Sequence, residues 1–168
     1  MQYRDGTRGR RCLGVGLAFV STMVVLVLPS PAAQASSAGY GYFSVRLTGH
    51  EVAGAADPTG QGSAQLDLDP EHELACFGLA WRHLDGAVTG FDLHAAARGQ
   101  QGPLWINFFS DKHFPGANNR VSGCVQVNTS HGMRSRDKVQ AVIHNPSAFY
   151  LTIRSTEFPQ GAIRGQLG

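Results

Sequence analysis

Seven histidines, three cysteines and twelve carboxylates are the residues of this 168-residue chain with obvious chemical capacity, and their spacing narrows what they can do. The histidines (His50, His72, His83, His94, His113, His131 and His144) are scattered, and none sits in H-x-x-x-H or a comparable ligand spacing. His94 stands two residues from Asp92, and residues two apart in a strand share a face. That pair lacks a positioned nucleophile, and the many serines include no G-x-S-x-G elbow. No catalytic residue is assigned, and the expectation is a protein that is not an enzyme.

The cysteines are read together with the compartment. Arg4, Arg8, Arg10 and Arg11 make a basic opening, an apolar run follows from Cys12 to Leu28, and the small-residue triplet Ala33-Gln34-Ala35 comes after a proline pair. A secretory signal peptide has these three parts. Residues 1–35 are therefore expected to be cleaved, which leaves a secreted chain with no membrane span. That segment carries four arginines and one aspartate. Of the 14 basic and 12 acidic side chains, residues 36–168 keep 10 and 11, a net charge of −1 rather than +2. No Lys/Arg-rich patch remains in the sequence, so a nucleic-acid partner is not expected. Two cysteines also remain, Cys76 and Cys124, in a chain bound for an oxidising compartment; a single disulfide is the natural reading, and two separate buried thiols the alternative.

The elements that would position these groups are strands set off by Gly, Pro, Asn and Asp. After a flexible lead over residues 36–41, period-two alternation or short apolar runs predict strands over Tyr42–Thr48, Ser63–Leu68, Leu74–Arg82, Val88–His94, Leu104–Phe109, Gly123–Val127, Phe149–Ser155 and Ala162–Leu167. Cys76 lies between apolar neighbours and is expected to face the core. Residues 111–120 read as a long polar loop. Ser135–His144 instead carries Val139, Val142 and Ile143 at helical spacing, with Ser135 as the expected N-cap and Asn145-Pro146 as the stop. The expected fold is an all-β, antiparallel Greek-key β-sandwich of about seven to eight strands, with one short helix near 135–145 covering an end of the sheets.

Six stretches in register over residues 42–168 resemble the chordin-type (CHRD) domain family: YFSVRLTGHEVAG, GQGSAQLDLDPEHELACFGLAW, FDLHAAARGQQGPLW, GCV, NPSAFYLTIRST and FPQGAIRGQLG. The last is the most specific. The resemblance implies a β-sandwich over 42–168 and an extracellular setting, as in the secreted bacterial members. Family members often carry an H-x-H pair after the fourth strand and a further His before the terminal motif, a pattern distantly similar to copper/zinc superoxide dismutases. Here the matching positions are Asp92, His94 and Arg154. A cation in the third place repels a metal ion, so the resemblance implies no metal and no cofactor. Where the sequence departs from the family pattern, the physical alternative is an Arg154–Asp92 ion pair with His94 hydrogen-bonded nearby, as a structural polar cluster or a ligand pocket.

The expected function is that of a secreted CHRD domain-containing protein, a non-enzymatic extracellular binding or structural module whose partner is an extracellular protein or cell-surface component. The alternative is a metal-binding or redox protein on a superoxide-dismutase-like sandwich. A third reading, a glycan-binding or adhesion module, requires two or more exposed aromatics on one face. Trp105 and Phe149 are expected in the core, and Phe114, in the long loop, is the best exposed candidate.

Overall fold

Alternation along the chain places one row of each strand in an apolar interior. In the computed structural model, which describes residues 39–168, the elements are β1 (Gly41–Thr48), β2 (Gln61–Asp69), β3 (Leu74–Arg82), β4 (Val88–Ala95), β5 (Leu104–Phe109), β6 (Asn119–Gln126), α1 (Ser135–His144), β7 (Phe149–Ser155) and β8 (Ile163–Gln166). The expected signal peptide lies outside the described residues. All strands pair antiparallel, in the order β5-β4-β7-β8-β1-β2-β3-β6.

The order divides at its middle. β1 meets β8 through one register pair, Thr48 with Arg164, whereas β1 and β2 pair along eight positions and β2 and β3 along nine. The sheet turns there and its two halves, β1-β2-β3-β6 and β5-β4-β7-β8, lie face to face. A Cβ on Gly165 would collide with the Arg46 carbonyl oxygen, so only glycine lets β8 come this close to β1. The core forms between the halves. Phe77 of β3 lies 5.5 Å from Phe91 of β4 and 5.1 Å from Phe108 of β5, among buried Leu47, Leu66, Leu93, Leu151 and Ile163. Connections from β3 to β4, β5 to β6 and β6 to β7 cross between the halves, which is the Greek-key arrangement.

Helix α1 lies between the β2–β3 turn and β5. Val139 and Val142 are fully buried, the Trp105 indole N–H donates to Lys138 O at 3.2 Å, and Arg136 Nε donates to Pro70 O at 3.2 Å. Its expected cap is corrected. Arg134 is the N-cap residue and makes no side-chain cap bond, while Ser135 is the first helical residue and is buried. Asp137 does stand in the first turn, where the helix dipole favours an acid, and also accepts from Arg134 Nε at 2.9 Å.

Three other expectations also change. β6 begins at Asn119, inside the stretch expected as loop. Phe114 is not an exposed platform. Its backbone bridges to Val88 and its ring packs edge-on against Phe109 at 5.5 Å, so the loop turns its one large apolar residue inward. Cys76 faces away from the core, because Ala75, Phe77, Leu79 and Trp81 take the inward row of β3.

Cys76 and Cys124 are direct register partners on β3 and β6 and form a disulfide on the outer face. They lie 48 residues apart, for which chain-entropy arguments give about 4 kcal/mol. Cys76→Ser is expected to lower stability by several kcal/mol, read as a fall in melting temperature that reductant reproduces in the parent protein. A parent melting temperature unmoved by reductant would show that the link contributes nothing.

Candidate functional site

The outer face of β5-β4-β7-β8 is where the sequence places polar side chains and where the structure buries several of them. Gly90, Asp92 and His94 alternate along β4 opposite Arg154, Thr152 and Tyr150 of β7. Arg154 pairs in register with Gly90 and reaches diagonally to Asp92, its Nε donating to Oδ2 at 2.7 Å. The guanidinium lies over Gly90, where any Cβ would collide with it. Asn107 of β5 donates to the other carboxylate oxygen at 2.6 Å. The Asp92 side chain is 3% exposed and that of Arg154 30%, so the acid is enclosed and its partner caps it towards solvent.

His94 shares the face but not the ion pair. Its Nδ1–H donates to Gly102 O at 3.0 Å, and its ring stacks on Tyr150 with planes 11° apart. The donor tautomer follows from the acceptor, since a carbonyl can only accept. The first contact ties β4 to the loop after it, and the second ties it to β7.

Sequence reasoning passed over the residue that organises that loop. Arg164 of β8 is 2% exposed, stacks its guanidinium on Tyr150 at 3.4 Å, and donates to Gln100 O at 2.6 Å and Ala97 O at 3.1 Å. Burial pushes its pKa down, opposed by the phenol of Tyr150 and by Glu51, and the guanidinium stays charged. Gln166 alongside donates to Ala96 O and Phe149 O. A signal was present in I-R-G-Q, where polar residues alternate with apolar or small ones, but alternation normally marks a solvated face.

Asp57 is a second buried carboxylate outside the expected set. It is fully enclosed and accepts from the backbone N–H groups of Thr59 at 2.9 Å, Gly60 at 2.8 Å and Asp85 at 2.7 Å, and from the Thr59 hydroxyl at 3.1 Å. Burial works against its ionisation, and these donors more than offset that, so its pKa lies below the ordinary value. Asp-Pro-Thr-Gly has the composition of an Asx-type turn, which could have flagged it.

Chemically, the outer face holds a fixed ion pair, an amide, and stacked rings. Among the described residues no group of three or more His, Cys, Asp or Glu is placed to hold a metal ion, and the third position around Asp92 is filled by a guanidinium.

The model of the CHRD domain family matches residues 43–167. No curated protein and no solved structure matches the chain.

Two outcomes are expected. Arg154→Met leaves the Asp92 carboxylate enclosed without its cation and is expected to cost about 3 kcal/mol in chemical denaturation; Asp92→Asn on that background recovers part of it. Asp57→Asn is expected to lose about 2–3 kcal/mol near neutral pH. A lowered carboxylate pKa contributes stability that is complete above the unfolded value of about 3.9 and fades as pH falls through the folded value. The gap between parent and Asp57→Asn should therefore narrow below about pH 4; a constant gap across the acid range would remove the carboxylate's charge from the account.

Proposed function

The chain belongs to the CHRD domain family, and from that premise we propose that it is a secreted, non-enzymatic module that binds an extracellular partner or serves a structural role at the cell surface. The observation that carries this reading is that Arg154 completes the group around Asp92, in the place where a metal or a substrate would need a ligand. His94 is likewise held by Gly102 and Tyr150. Fixed charges of this kind hold loops and strands in place; they do not supply a poised acid, base or nucleophile.

The disulfide favours an oxidising compartment. It lies on the outer face, with Cys124 exposed, where cytosolic reductants would reach it. No helix among the described residues is long and apolar enough to cross a membrane.

The test is to express the full chain without a histidine tag in a host that exports it, then measure intact mass and metal content on the protein recovered outside the cell. The expected product starts at Ser36, carries the Cys76–Cys124 link and holds no stoichiometric metal. Copper or zinc bound one-to-one and lost in His94→Ala would overturn the non-enzymatic reading. Protein retained in the cytoplasm with both thiols free would overturn the extracellular one.

A further inference from the structure

The β1-β2-β3-β6 half carries on its outer face a groove of about 840 Å³, remote in sequence from the Asp92 group. Its form follows from the register. Arg46, Ser63, Ala80 and Arg120 stand side by side across the four strands, all on the outward row. Two arginines therefore bracket a floor of two small side chains. With strands about 4.8 Å apart, the brackets are about 14 Å apart at the backbone. Arg82 stands on the next outward row, steadied by Gln61, whose Oε1 accepts from Nη2 at 2.6 Å and from Nε at 3.2 Å.

The charge is segregated. Residues 36–168 carry a net charge of −1, yet three of their ten basic side chains line this groove and no carboxylate does. Among the described residues, the ion pairs of arginine belong to Arg98, Arg134 and Arg154; Arg46, Arg82 and Arg120 are exposed and have none. A guanidinium offers a planar fork of donors that fits a carboxylate or sulfate. Ser63, Thr48 and Asn118 add neutral donors and acceptors between and beside the arginines.

The lining also argues against other polyanions. It presents no apolar anchor of the kind that centres protein interfaces, because Trp81 is 3% exposed and its indole N–H donates to Pro115 O at 3.0 Å. Single-stranded nucleic acid is held by stacking its bases on exposed aromatics. The exposed tyrosines, Tyr40 and Tyr42, lie together at the opposite end of β1 beside Asp67 and Asp69, where a phosphate chain is repelled.

We infer that the groove is a binding site for an anionic glycan, a hydroxyl-rich chain whose carboxylate or sulfate groups bridge Arg46 and Arg120 with Arg82 between the ends. This rests on the extracellular binding role proposed above and names its ligand class.

The test uses the protein produced from the full chain, titrated calorimetrically with polygalacturonate, dextran sulfate, neutral dextran and a single-stranded DNA oligonucleotide. Binding to at least one anionic polysaccharide is expected, weakening as salt is added, with none to neutral dextran. Preference for polygalacturonate identifies carboxylate as the recognised group, and preference for dextran sulfate identifies sulfate. Arg46→Ala with Arg120→Ala is expected to lower affinity by on the order of tenfold or more. The melting temperature should hold, since both side chains are exposed, and Arg134→Ala at the N-cap of α1 should bind as the parent does. No binding to either polysaccharide, equal binding to DNA, or affinity unchanged in the double variant would each overturn the assignment. Export and metal content are read separately, so a failure here is distinct from a failure of the broader role.

Discussion

One register pair, Thr48 with Arg164, carries the eight strands round from one half to the other, and much of the molecule follows from how narrow that corner is. Were β1 and β8 paired along their length, the sheet would continue open and its apolar rows would face water. Instead the turn brings the rows of the two halves together as one interior. Arg164 stands at that corner, paired with Thr48 on one side and Thr152 on the other, and reaches diagonally onto Tyr150 beneath the loop after β4. The same corner separates the two outward faces, so that each carries a different polar arrangement.

On one outward face, and separately in the loop before β2, charge is enclosed. Asp92 has a cation and an amide as partners, Arg164 has a ring and two carbonyls, and Asp57, at the loop before β2, has four donors. Enclosed charges are tolerated when they are largely satisfied: the Asp92 contacts tie β4 to β7 and β5, and those of Arg164 tie β8 to the loop after β4, with only its Nε left without a partner. On the other face the cations stand in solvent beside small neutral residues. The first arrangement makes structure; the second leaves donors for something outside the molecule.

The sequence makes some of this legible and not the rest. The strands Leu74–Arg82, Leu104–Phe109 and Phe149–Ser155 and the helix Ser135–His144 are read to the residue, because period-two and helical patterns there are bounded by clear breakers. The start of β6 is missed because none of its residues is fully buried and its inward row holds only Val121 and Val125 among Asn119 and Gly123, so an edge strand with so sparse an apolar row looks like loop. Cys76 is misplaced because its neighbours on both sides are apolar, so composition hides which row faces inward; only the pairing with Cys124 decides it. Asp92 and Arg154 come together as the opposite charges at those positions imply. Arg164 is not legible because the carbonyls that receive it lie 64 and 67 positions away, and Asp57 is legible only as an Asx-type turn with Thr59 and Gly60, its enclosure depending on Asp85 28 positions on.

The disulfide has a consequence for the sheet's margin. β6 has β3 on one side and no strand on the other, so its free backbone groups are a template for another chain to add to. A strand held by one neighbour can also peel from it. The covalent link lies at the sixth of its eight residues, so opening from either end stops at Cys124 before the strand comes away. Under the extracellular role proposed above, with no chaperone at hand, such a latch keeps the longer β3 edge from being bared to another chain as well as opposing unfolding of the whole.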